Sequence, residues 1–261
     1  MFAIAFVGVI MHELTACQVQ SLVDAAKKRS GKNSLLVCNA SGLFAQAPRL
    51  SAQLEMLFDS GIDLVFAGEQ SVARNSGRSE LGSGQRQILR PLNMGKEAPG
   101  VGAKLVNLDG EKVWMLCLAD QSNKTPVEHA HEALESFFRN KSDHFPVFIN
   151  VNGKDADYKK ALAWKYSNCG CSVAVVGSGL NFCSGIPCMD GNGGAFQADG
   201  GIVCSRDAVA GIEPSVWWKR HVERLPVAIV PGNAQIEADI TLFFYEKGSV
   251  RKTANEKLVL S

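Results

Sequence analysis

Histidines, a late group of cysteines and the polar residues that follow apolar runs are the groups in this chain whose types and spacing could do chemistry. His129 and His131 are two apart in a helical stretch and do not face one another. His12, His144 and His221 stand alone, and all five read as surface or packing histidines. Cys169-Gly170-Cys171 together with Cys183 and Cys188 could offer zinc four thiolates. A Cys-x-Cys pair is tighter than zinc usually takes, and the two pairs flank the apolar run 172–177, which argues against one site. Cys38 and Cys117 sit inside apolar runs and behave as small hydrophobes. Gly191-Asn192-Gly193-Gly194 lacks the Lys-Ser/Thr ending of a phosphate loop. Arg74, Arg78, Arg86 and Arg90 read as solvated loop charges.

The elements that must position these groups alternate in type. Phe2–Ile10 is apolar at both parities, as a strand buried on both faces must be. Residues 14–28 carry Val19, Leu22, Val23 and Ala26 at helical intervals, and 34–38 is a second buried strand. A helix over Leu50–Ser60 is stopped by Gly61, and 62–67 is a third strand. Residues 71–84 and 178–201 read as loops. Strands at 104–107 and 112–118 flank the Leu108-Asp109-Gly110 turn. Helices are expected at 126–140, 155–166 and 214–224, and strands at 146–151, 172–177, 234–245 and 252–259. No repeat or linker divides the chain. The expectation is one α/β domain over 1–261, a layered sandwich of mixed β-sheets flanked by helices.

In open α/β sheets ligands bind beyond the carboxyl ends of the strands. The residues there are Gly8-Val9, Asn39-Ala40-Ser41-Gly42, Gly68-Glu69-Gln70, Asn152-Gly153 and Ser178-Gly179-Leu180-Asn181. This segmentation resembles the YmdB-type family of bacterial metallophosphoesterases. The markers are Gly61-Ile62-Asp63, Arg90-Pro91-Leu92-Asn93, Pro99-Gly100-Val101-Gly102, the hairpin 107–113, Ala161-Leu162-Ala163-Trp164 and Leu225-Pro226-Val227. The register runs from Phe6 to about Leu260. The resemblance implies a calcineurin-like phosphoesterase fold.

The departures from the family pattern fall on its chemistry. The resemblance places Val9 where the family has its first metal-binding Asp, and Ser41 and Gly42 where it has Glu and Asn ligands. Glu69 stands for a bridging Asn, and Gln70 for the catalytic His. Asn152 stands for a lone His, and Gly179 and Asn181 for a His pair. Two divalent ions held about 3.5–4 Å apart need anionic and imidazole ligands; hydroxyls and amides do not suffice. The expectation is therefore a pseudoenzyme with no metal and no cofactor. Its cleft, lined by Asn39, Ser41, Glu69, Gln70, Asn152 and Asn181, would hold a nucleotide, or another surface would bind a protein. The alternative is an active phosphodiesterase for 2′,3′-cyclic nucleotides. It would carry two divalent metals such as Mn, Fe or Zn on ligands drawn from Asp120, Asp199, Asp207 or Cys183.

Composition narrows the partners. Lys and Arg number 27 against 26 Asp and Glu, so there is no field to draw the chain onto DNA or an anionic membrane. No stretch reaches the ~18 apolar residues of a membrane helix. Leu14-Thr15-Ala16-Cys17 has the look of a lipoprotein cleavage box, but no Lys or Arg precedes Lys27. The expectation is a cytoplasmic protein with reduced thiols. Adjacent Trp217 and Trp218 cannot share one narrow helix face, so one is expected to cover the core and the other to meet a second copy in a homodimer.

Overall fold

The computed structural model describes residues 1–122 and 125–260; Asn123, Lys124 and Ser261 lie outside the described residues. The chain opens with β1 (Phe2–Ile10), α1 (Ala16–Ser30), β2 (Ser34–Asn39), α2 (Ser41–Gln46) and α3 (Leu50–Ser60). It continues through β3 (Leu64–Phe66), a 3-10 turn (Glu69–Val72), α4 (Asn75–Ser83) and β4 (Ile88–Leu89). β1 to β4 pair in parallel. β5 (Ala103–Leu108) and β6 (Glu111–Ala119) form an antiparallel hairpin that begins a second sheet. α5 (Ala130–Asn140), β7 (Val147–Asn152), α6 (Ala156–Tyr166) and β8 (Val173–Ser178) extend that sheet in parallel. β9 (Cys188–Met189) and β10 (Ala195–Gln197) finish it. β11 (Ile202–Ser205) returns to β1, α7 (Pro214–His221) follows, and β12 (Ile236–Glu246) and β13 (Ser249–Val259) close the first sheet. The sheet orders are β13-β12-β11-β1-β2-β3-β4 and β5-β6-β7-β8-β10-β9.

The two sheets pack face to face, with helices on their outer faces. Phe2, Ile4 and Phe6 of β1 point inward to meet Met115, Phe148 and Val176 of the second sheet. Ala5 and Val7 point outward to α1 and its neighbours. This is why β1 is apolar at both parities. Phe6, Phe66 and Phe148 form a ring cluster with centroids 6.2–6.3 Å apart, and Phe243 meets Phe148 edge-on at 5.2 Å. At Gly8 the register with β2 slips by one residue. A Cβ there would stand 2.4 Å from the Gly201 carbonyl carbon, so only glycine admits the β11 return so close to β1.

Several expectations need correction. Residues 71–84 are not a loop: the 3-10 turn and α4 occupy most of the segment, with Gly77 wedged against the Ser71 carbonyl and Leu81 buried. The Ser/Gly/Arg composition hides a helix that tertiary packing forms. Residues 178–201 carry the short strands β9 and β10, and α2, β4 and β11 lie where the sequence pattern marks no element. The helix expected from 126 begins at Ala130, with His129 at its cap position. Neither Trp217 nor Trp218 covers the core. No residue of α7 is buried, Trp218 is exposed, and Trp217 stacks on His221 with centroids 4.6 Å apart. No helix among the described residues is long and apolar enough to cross a membrane.

Phe148 is fully buried and touches rings from three other strands. Phe148→Ala is expected to lower unfolding stability by about 3–5 kcal/mol. Urea denaturation should show the loss as an earlier midpoint at unchanged slope.

Candidate functional site

The carboxyl ends of β1, β2, β3, β7 and β8 converge at one edge of the sandwich. Val9, 3 % exposed, pairs with Asn39 of β2 and offers no donor atom. Asn39 is fully buried; its Nδ2 donates to Asn150 Oδ1 at 2.8 Å, bridging the two sheets, and its Oδ1 accepts from the Ser41 amide at 2.9 Å. That second bond starts α2. Gly42 lies so close to the end of β1 that a Cβ would stand 2.4 Å from the Ile10 carbonyl oxygen. Gly68, at φ +69°, faces Ser41 and Asn152; a Cβ there would meet the Ser41 Cβ at 2.6 Å and Asn152 Nδ2 at 3.2 Å.

Glu69 is the one carboxylate in this set, and it is 4 % exposed. It accepts from Asn152 Nδ2 and, at 3.3 Å, from Gln70 Nε2. Gln70 also donates to the Thr125 hydroxyl at 3.1 Å. Asn152 Oδ1 is buried with no hydrogen-bond partner among the described residues. Gly179, at φ +106°, packs on the Gly153 carbonyl, where a Cβ would come within 2.8 Å. Asn181, in the left-handed region at φ +64°, lines a cavity of about 520 Å³ with Lys154, Trp217 and His221. The structure thus brings Val9, Asn39, Ser41, Gly42, Glu69, Gln70, Asn152, Gly179 and Asn181 to one edge of the sandwich.

Two residues that sequence reasoning missed hold this edge together. Asn150 donates to the Ser178 hydroxyl at 2.7 Å and to the Val176 carbonyl at 3.1 Å. Lys159 is fully buried, and its ammonium donates to the carbonyls of Gly153 at 2.7 Å, Ser178 at 3.0 Å and Ala198 at 3.4 Å. Burial pulls the Lys159 pKa down, against the opposing pull of Asp199, Asp120 and Asp155. A signal was present: Lys159, Leu162 and Tyr166 recur at i, i+3 and i+7, which puts the lysine on the apolar face of α6.

The donors present do not fit a pair of divalent cations. Glu69 is already held by amide donors, Val9 and Gly179 have no donor side chain, and none of the matched positions is an imidazole. Among the described residues no three His, Cys, Asp or Glu side chains group to hold a metal. The alternative ligands are engaged elsewhere. Asp120 accepts from the Ser122 and Asp155 amides, each at 2.8 Å. Asp199 accepts from the amides of Leu180 at 2.6 Å and Gly201 at 2.8 Å. Asp207 accepts from the Ser205 hydroxyl, and Cys183 from the Gly185 amide. The four cysteines do not assemble either: Cys169 and Cys171 precede β8, Cys183 bridges to Gly200 beyond it, and Cys188 lies in β9. The four arginines after β3 are not a phosphate cluster. Arg74 and Arg78 donate to backbone carbonyls, Arg86 pairs with Glu80, and Arg90 is buried on the Pro91 carbonyl.

The sequence model of one family, described as YmdB-like protein, matches residues 6–255. The chain belongs to the YmdB-like family. No curated protein matches it. A solved structure of a hypothetical protein from Thermus thermophilus superposes with a TM-score of 0.86 at 18 % identity, covering 99 % of this chain and 100 % of that one. A structure from Mycoplasma pneumoniae described as a novel phosphatase gives 0.86 at 13 % identity, over 99 % of this chain and 94 % of that one. The calcineurin-like phosphoesterase YfkN from Bacillus subtilis gives 0.52 at 10 % identity, over 100 % and 91 %. These likenesses establish the calcineurin-like phosphoesterase fold for this YmdB-like chain.

Asp199 supplies a test of the cleft's electrostatics. Burial raises its pKa from 3.8 to about 6, partly offset by the Leu180 and Gly201 amides and by Lys159. A carboxyl whose folded pKa is raised favours folding while it is protonated. That contribution, a few kcal/mol, is full below pH 3.8 and is lost as pH rises through about 6. Urea titrations across this window should show Asp199→Asn with a flatter pH dependence than the parent chain.

Proposed function

We propose that this chain is a non-catalytic member of the YmdB-like family, which keeps the phosphoesterase scaffold and uses the cleft to bind rather than to hydrolyse. One observation carries the reading. The cleft's carboxylate, Glu69, is engaged by the side-chain amides of Asn152 and Gln70, at the positions where the family resemblance places an imidazole metal ligand and the catalytic imidazole. An amide cannot exchange a proton near neutral pH, so no general acid stands beside the place where a leaving group would depart. Glu69 is the one carboxylate left at the matched positions, too little charge to neutralise two cations.

A nucleotide is the ligand class that suits what remains. The neighbouring cavity presents the Lys154 ammonium to a phosphate and the Trp217 ring to a base. The cytoplasmic reading and self-association belong to the same proposal; Trp164, 77 % exposed, and Trp218, 54 % exposed, are among the apolar side chains open to a second copy.

Elemental analysis of the purified chain is expected to show no stoichiometric pair of manganese, iron or zinc ions, and phosphodiester turnover should match a buffer control. Val9→Asp should not create activity, because the other matched positions remain changed. A metal pair accompanied by chelator-sensitive turnover would overturn the reading. Calorimetric titration with nucleoside monophosphates should give binding that Lys154→Ala weakens by about tenfold. Light scattering should show a dimer that Trp218→Ala shifts toward monomer.

A further inference from the structure

At the end of β8 away from the cleft, two thiols stand side by side. Cys169 Sγ and Cys171 Sγ are 3.7 Å apart, both half-buried at the turn that follows α6. Gly170 between them sits at φ +86°, a backbone conformation that favours glycine. Cys171 lines a cavity of about 460 Å³ whose wall also carries His144, Asn192, Lys247 and Ser249. Lys247 makes one side of that wall cationic, which suits a small disulfide bearing carboxylates held against Cys171, whose sulfur is 3.7 Å from that of Cys169; Cys169 itself is not part of the wall.

We propose that Cys169 and Cys171 form a redox-active dithiol that exchanges with low-molecular-weight disulfides of the glutathione type. The hydrogen bond shared by the two sulfurs draws the Cys169 pKa below the usual thiol value, and the Lys141 ammonium adds to this. Cys171, which keeps the shared proton, is pushed upward. The Cys169 thiolate attacks one sulfur of the incoming disulfide. A Cys169–glutathione bond forms, the disulfide bond breaks, and one glutathione thiolate leaves and takes up a proton. Cys171 then loses its proton and attacks the Cys169 sulfur, releasing the second glutathione, which is protonated in turn. Two protein thiols are oxidised to one disulfide across Gly170, and one small disulfide is reduced to two thiols. In a reducing compartment such a bond would be transient, as exchange sites are. The pair lies at the opposite end of β8 from Gly179 and Asn181, so this site neither needs nor tests the cleft.

The test incubates the full chain in glutathione–glutathione disulfide buffers, quenches with acid and maps the peptides by mass spectrometry. The expected result is the loss of two hydrogens, located to a linked Cys169–Cys171 peptide. Cys171→Ser should instead accumulate a stable glutathionyl group on Cys169. Iodoacetamide at neutral pH should modify Cys169 about tenfold faster than the exposed Cys17. Circular dichroism of the Cys169→Ser/Cys171→Ser double variant checks that the fold survives. A pair that stays reduced in buffers that glutathionylate Cys17, or a Cys169 alkylated no faster than Cys17, would overturn the proposal.

Discussion

Asn39 and Asn150 meet side chain to side chain between the two sheets, both without solvent exposure, and the cleft is built outward from that contact. A buried amide must satisfy its donors and acceptors or cost about 1–3 kcal/mol for each one left bare. Asn39 therefore turns its oxygen to the first amide of α2, and Asn150 turns its nitrogen to Ser178 and Val176. One pair of side chains so fixes the ends of β2, β7 and β8 and the start of a helix. Replacing Asn150 by an apolar residue would strand polar atoms on β2 and β8 at once.

Charge on the same edge is handled by one internal cation. Lys159 places its three N–H donors on the carbonyls of Gly153 just after β7, Ser178 at the end of β8 and Ala198 just after β10. Burial penalises its charge, and the buried carboxylates of Asp199 and Asp120 offset that penalty across a short distance. The edge that a phosphoesterase would fill with metal ligands is here satisfied by amides, a lysine and backbone.

The family resemblance was legible because its markers are local: turn glycines, a hairpin and short runs that need no tertiary contact to be recognised. The polar positions at the strand ends were legible for the same reason, since each closes an apolar run. Asn150 was not, because within β7 it is one more residue of a buried strand, and only its partner on the other sheet gives it a role. α4 was not, because Asn75–Ser83 has little apolar periodicity and is held in place by Gly77 and Leu81 against α2 and the preceding turn. α7 carried the opposite error: two tryptophans suggested a buried face, yet its aromatic surface turns to solvent and to its own His221.

By itself the sequence determined the alternating elements, the double-faced burial of β1 and the identity of the side chains at the strand ends, because periodicity and strand order are written along the chain. It also placed one carboxylate, Glu69, and no imidazole among those side chains. What only the tertiary structure decided was how the remaining groups are spent. Glu69 is engaged by Asn152 and Gln70, Asp120 and Asp199 by backbone amides, and Cys169 lies against Cys171 rather than near Cys183. Most of these pairings join residues far apart in sequence, and their energy depends on distances and burial that exist only after the sheets have packed.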